Sequence, residues 1–155
     1  MRFVIRAAVV AGIVALSNVA SAQTDPHVGT WKLNLTKSKY NTGQPPRSST
    51  VVVEAAGQGT KITATTILSD GTTRTIRYTA GFDGQDAAVS GTRDYDKVSL
   101  SRTANTIKGT RKLGGKPVQT FTTVVSADGK TRTTTTTGTD AAGKKVDNVL
   151  VYDKQ

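Results

Sequence analysis

Apolar and polar residues alternate through most of this chain, and no stretch after residue 23 repeats its apolar residues at helical spacing. In the segment 61–68, Ile62, Ala64, Thr66 and Leu68 share one face while Lys61, Thr63 and Thr65 take the other. A period of two is the mark of a pleated strand buried on one side. The pattern predicts ten short strands, at 31–35, 50–55, 61–68, 72–79, 86–90, 97–103, 106–112, 118–126, 131–137 and 146–152. "GQG", "FDGQ" and the glycine pair of "KLGGKP" punctuate them, the last as a hairpin tip, and "PPRSS" at 45–49 reads as an extended connector because Pro45 and Pro46 remove two backbone donors. Many short strands at close spacing imply an antiparallel sandwich or barrel.

Two turns carry register information. Asp70-Gly71 and Asp128-Gly129 each lie between alternating segments and are predicted to form two-residue type I′ loops. Their flanks, "SDGTTRT" and "ADGKTRT", lie 58 residues apart and join the third to the fourth and the eighth to the ninth strand. Two five-strand halves of similar plan would explain this, and so would independent use of a favourable hairpin turn.

Composition agrees with the strand reading: 27 threonines and 15 glycines suit pleated strands and tight turns. The first 22 residues are set apart by a basic head at Arg2 and Arg6, an apolar run from Ala7 to Leu16, and Ala20 and Ala22 in an A-x-A arrangement. They are predicted to be a signal peptide cleaved after Ala22, giving a periplasmic or secreted protein. The remaining domain, 23–155, contains no apolar stretch long enough to form a transmembrane segment. It has no cysteine, so packing and strand pairing must hold it together. Without Arg2 and Arg6 the formal charge is +8, which favours anionic envelope components as partners, although the charges are scattered singly along the strands. No specific nucleic-acid recognition is expected, and a monomer is.

Alternation also puts charge on apolar faces. Arg74 shares parity with Ile76 and Tyr78, and Arg102 with Val98 and Leu100. A guanidinium inside a barrel could clamp a ligand carboxylate, or could reach water from a strand end. Tyr78, Phe82, Tyr95, Phe121 and Tyr152, with Arg74 and Arg102, are the candidate lining of an interior site. The threonines, alanines and valines on the inward faces fill little volume, so a partly open cavity is expected.

"GTW" at 29–31, heading such a strand, resembles the G-x-W signature of lipocalins, and "NVLVYDKQ" at the close of the chain is similar to the last strand of fatty-acid-binding proteins. "GTWKLN...KSKY", "FDGQD...VSG", "DKVSLSR" and "VVSADGKTRT" resemble an uncharacterised family of exported bacterial lipocalin-like proteins across the whole mature chain. The resemblance implies an all-β fold, an antiparallel up-and-down β-barrel of about 8–10 strands of the calycin type. It implies that Trp31 plugs the closed end, with Gly29 bending the chain into the first strand and an arginine, Arg102 or Arg111, packed on the indole. Tyr152 matches the tyrosine of the Arg-x-Tyr pair in fatty-acid-binding proteins, but Leu150 stands where the arginine would be, so no carboxylate clamp is implied on that strand. The paired lid helices of that family are not expected in the connector 36–48.

The chain offers little for catalysis. His27 is the sole histidine, placed in a leader "TDPHVG" expected to be mobile, and there is no thiol. Asp83, Asp86, Asp94 and Asp96 match no complete calcium loop and read as turn formers, so neither metal nor cofactor is expected. The expected function is non-enzymatic: an exported protein holding a small hydrophobic or amphiphilic molecule. The alternative is an envelope interaction or structural protein with a filled barrel that meets polyanions or a protein partner.

Overall fold

A computed structural model describes residues 25–41 and 43–155. The predicted signal peptide 1–22 and its cleavage site lie outside the described residues. Eleven strands follow in chain order: β1 (Gly29–Leu33), β2 (Lys39–Tyr40), β3 (Ser48–Ala56), β4 (Gly59–Ile67), β5 (Thr73–Gly81), β6 (Ala87–Ser90), β7 (Lys97–Thr103), β8 (Thr106–Leu113), β9 (Lys116–Val125), β10 (Thr131–Thr139) and β11 (Lys145–Lys154). Helix is absent from the described residues, the connector 36–48 included apart from masked residue 42. From β3 onward each strand pairs antiparallel with the next, and β1 pairs with both β3 and β11. The ten longer strands thus close as an up-and-down barrel, as the sequence pattern and its family resemblance lead one to expect. Closure removes the free edges that would otherwise template association.

The two-residue β2 was not foreseen. It lies along β11, Tyr40 opposite Asn148, and prolongs the edge that β1 begins. Between the two, Ser38 does the work of a missing ladder residue: its Oγ accepts the N–H of Val151 at 2.9 Å and donates to the carbonyl of Asn34 at 2.7 Å.

The two Asp-Gly turns differ from expectation. Type I′ loops need positive φ at both central residues, yet Ala104 is the only described non-glycine residue with positive φ. Gly71 N–H donates to the carbonyl of Leu68 at 2.9 Å and Leu68 N–H to that of Thr72 at 2.8 Å, a three-residue loop at 69–71. Ser126 N–H donates to the carbonyl of Thr131 at 2.9 Å across a four-residue loop at 127–130. Both loops are tight turns with glycine in the left-handed region, Gly71 at the third of three positions and Gly129 at the third of four. The cause is the aspartate side chain: Asp70 accepts the N–H of Thr72 at 2.8 Å and Asp128 that of Lys130 at 3.0 Å, which stabilises a right-handed backbone at the aspartate itself. The third-to-fourth and eighth-to-ninth positions of these hairpins in the barrel are as read from the sequence.

The base of the barrel is closed by Trp31, which is 0% exposed. It packs with Leu33, Val51, Val53, Ile62, Val125 and Tyr152, and its Nε1–H donates to the carbonyl of His27 at 2.9 Å. Gly29 has φ 135°, a conformation strained for any other residue, and a Cβ there would lie 2.8 Å from Cε of Lys154. The cation over the indole is Lys154, 5.0 Å from the ring centre, rather than Arg102 or Arg111. Lys154 is the cross-strand partner of Trp31, so register alone delivers it.

The leader is likewise fixed rather than mobile. His27 is 1% exposed; its Nε2 donates to the carbonyl of Asn105 at 3.0 Å, and Nδ1 is buried without a partner. Asp25 accepts a forked pair of bonds from Arg102, Nη2 to Oδ1 at 2.8 Å, and caps the N–H of His27 at 2.9 Å. Asp25 and His27 thus form a strap across the base, docked on the β7–β8 turn. That turn pays with strain, since Ala104 sits at φ 51°. Ala104→Gly is expected to stabilise the protein by about 1 kcal/mol, read from the urea midpoint, by relieving the left-handed penalty on a Cβ.

Burial, followed by the charges of Arg102 and Arg132, lowers the His27 pKa from 6.5 to about 4. The unfolded chain therefore binds the extra proton between these values. Stability contributed by the neutral ring is full above pH 6.5 and is lost as pH falls toward 4, by on the order of 3 kcal/mol. The Asp25 carboxyl is also held below its usual value, so its own loss falls at lower pH, outside this window. Urea midpoints at pH 7 and 4.5 are expected to converge in His27→Gln and to differ in the wild type.

Candidate functional site

Above the indole the barrel is hollow. A cavity of about 360 Å³ opens at the end formed by the β4–β5, β6–β7, β8–β9 and β10–β11 turns. An interior filled by its own side chains is therefore not what this chain builds. Ile62, Ala64, Ile76, Val51 and Leu150 supply apolar wall. Ser49 and four threonines supply hydroxyls to the wall, and two pairs of these satisfy one another across strands, Ser49 with Thr66 and Thr123 with Thr134, each at 2.9 Å. Such pairs bury hydroxyls at little cost and leave room that larger side chains would occupy.

Five of the residues singled out from the sequence meet here: Arg74, Tyr78, Tyr95, Phe121 and Tyr152. Phe82 and Arg102 do not. Inward parity on β7 holds for Arg102, but it lies at the base end of the strand, where the barrel is filled by the strap; its guanidinium engages Asp25 and sits 5.4 Å over the Phe82 ring.

Arg74 lies at the mouth and pairs with Asp94 at 3.4 Å. Asp94 also accepts the N–H of Ala141 at 3.4 Å, linking the β6–β7 and β10–β11 loops across the opening. The other loop acids have local duties: Asp83 caps the N–H of Gln85, Asp86 pairs with Lys112 and Asp96 accepts the N–H of Gly114. Among the described residues no three histidine, aspartate or glutamate side chains gather to hold a metal.

Arg111, expected against Trp31, is instead a wall residue of the cavity. Its guanidinium lies between the rings of Tyr95 and Phe121, at 4.7 and 4.6 Å, and donates to Oε1 of Gln119 at 2.9 Å. Gln119 is itself fixed, donating Nε2 to the carbonyl of Thr139 at 2.9 Å. The ladder between β8 and β9 shifts register at Arg111/Lys112, an irregularity of the kind that re-aims a side chain. Gly109 lies opposite Phe121, where a Cβ would come within 2.3 Å of the ring, so the platform beneath Arg111 needs glycine.

Arg132 was not anticipated at all. It stands on β10 directly opposite Tyr152, is 8% exposed, and its Nε has no hydrogen-bond partner. No carboxylate of the described residues lies within ion-pair distance of it. Burial alone opposes its charge, which lowers its pKa from the usual value; a guanidinium nevertheless stays protonated in a protein.

Burial raises the pKa values of Tyr78 and Tyr152, so both phenols are neutral donors, and the hydroxyl of Tyr40 is buried with no partner. Arg74 Nε, Arg132 Nε and Tyr40 Oη, three unpartnered buried polar atoms, all belong to residues lining the one cavity. All three can donate a hydrogen bond.

No protein-family model and no curated protein matches the chain. Solved structures share its fold. Zebrafish ileal bile acid-binding protein, complexed with cholic acid, superposes with a TM-score of 0.51 at 14% identity over 84% of this chain and 99% of that one. Rv2717c from M. tuberculosis superposes with a TM-score of 0.53 at 16% identity over 84% of this chain and 93% of that one. At such identities the likeness establishes a calycin-type barrel and nothing finer.

Proposed function

We propose that this is an exported, non-enzymatic binding protein that holds one small amphiphilic molecule in its barrel, acidic head toward Arg132 and apolar tail along the aliphatic wall. The buried, unpaired guanidinium of Arg132 carries this reading. An arginine taken from water without a counter-charge is costly, and a bound anion offsets that cost. The cavity of about 360 Å³ lies within the range of small-molecule sites, roughly 300–1,000 Å³. That a solved relative in fold is complexed with cholic acid is in keeping with an amphiphilic acid as ligand. Export rests on the basic head, apolar run and A-x-A arrangement of residues 1–22.

Protein purified from the periplasmic or secreted fraction of its native host is expected to begin at Gln23 by intact mass. Its organic-solvent extract is expected to contain one acidic amphiphile in stoichiometric amount by mass spectrometry. An extract with no such compound, together with no binding of added acids, would defeat the binding role.

Arg132→Met separates binding from stability. Replacing an uncompensated buried charge by an apolar side chain is expected to raise the stability of the ligand-free protein, by about 1–4 kcal/mol. The same change is expected to weaken binding of a medium-chain fatty acid by about tenfold or more, as loss of a charge-assisted bond requires. Denaturant titration and calorimetry read the two effects.

A further inference from the structure

Two of the three guanidiniums that line the cavity stand without a carboxylate at ion-pair distance among the described residues. Its charged lining is Arg74, Arg111, Arg132, Asp94 and Asp140. Asp94 is engaged by Arg74 at the mouth, and Asp140 closes its own turn, Oδ1 accepting the N–H groups of Ala142 at 3.0 Å and Lys144 at 2.8 Å. Arg111 and Arg132 are left with no carboxylate at ion-pair distance among the described residues. Both arginines line the same cavity, together with Tyr78 and Tyr152.

We propose that the ligand carries two negative charges, one answering Arg111 and the other Arg132. This rests on the amphiphile reading and extends it to a chemical class. A monocarboxylate on Arg132 would leave Arg111 with only the neutral oxygen of Gln119, whereas a dianion compensates both cations. Forked guanidinium donors match the oxygens of phosphate as well as those of carboxylate. A phosphate monoester places both charges on one head; an α,ω-dicarboxylate places them at two ends. Both offer a negative charge to each of the two guanidiniums.

Calorimetric titration of the purified protein at about pH 8 with decanoate, decyl phosphate and decanedioate tests the proposal and separates the two forms. One of the dianions is expected to bind about tenfold or more tightly than decanoate. If it is decyl phosphate, the advantage is expected to shrink as pH falls through the second phosphate ionisation, near ~6. Arg111→Gln is expected to erase the advantage while decanoate still binds through Arg132, which also shows that the variant is folded. Equal binding of all three compounds by the wild type overturns the dianion proposal and leaves the amphiphile reading intact. Binding of none overturns both. The wild-type ratios decide the matter even where the variant fails to fold.

Discussion

A ring of antiparallel strands stays closed only while its first strand reaches the last, and here the five-residue β1 makes that join, pairing with β3 on one side and β11 on the other. Its central residue is Trp31, flanked in register by Val51 on β3 and Lys154 on β11. So short a strand contributes few ladder bonds on each side. The indole supplements them by packing with residues of four other strands and by donating to the carbonyl of His27. That bond in turn fixes the strap, whose Asp25 captures Arg102 and whose ring reaches Asn105. Closure of the wall and sealing of the base are thus one event, governed by a side chain that is large, rigid and polar at a single edge.

With its base sealed, the barrel can remain open above. Buried threonines paired across strands keep the inner surface hydrogen-bonded without filling it, so the space survives close packing of the wall. What enters that space is then set by Arg74, Arg111 and Arg132, which differ in how far the protein itself satisfies them. Arg74 has a carboxylate, Arg111 has two rings and an amide, and Arg132 has neighbouring phenols. Satisfaction by the protein falls from mouth to base, and the demand for an external anion rises accordingly.

Strand positions were legible because alternation and turn residues agree, as on β4, where Ile62, Ala64 and Thr66 line the cavity as read. That Trp31 would be buried was legible from the resemblance of Gly29-Thr30-Trp31 to the G-x-W signature. Arg132 was not, because β10 reads TRTTTTTGT, with threonine on both faces and no apolar parity to reveal which side faces in. Only its register against Tyr152 on β11 assigns the face, and register is a property of the folded pair. Arg111 had a usable signal, since it shares parity with the buried Ile107 on β8. The places of His27 and Arg102 have a common cause that no strand pattern carries: the segment before β1 folds onto the base, bringing the His27 ring to Asn105 and Asp25 to Arg102.

The placement of Arg132 bears on why a protein would keep so costly a residue. A methionine or leucine at that position would fill similar space with no desolvation penalty, and nothing among the described contacts requires the charge for folding. The phenols that surround it are pushed toward neutrality by burial and so cannot serve as its counter-ion at ordinary pH. The guanidinium also opposes protonation of His27 in the strap below, since its charge is among the causes that lower that ring's pKa. An anion bound at Arg132 would weaken that repulsion and raise the affinity of His27 for a proton. Were an anion bound there, the strap at the base and the contents of the cavity would be coupled, and linkage would require the influence to run in both directions.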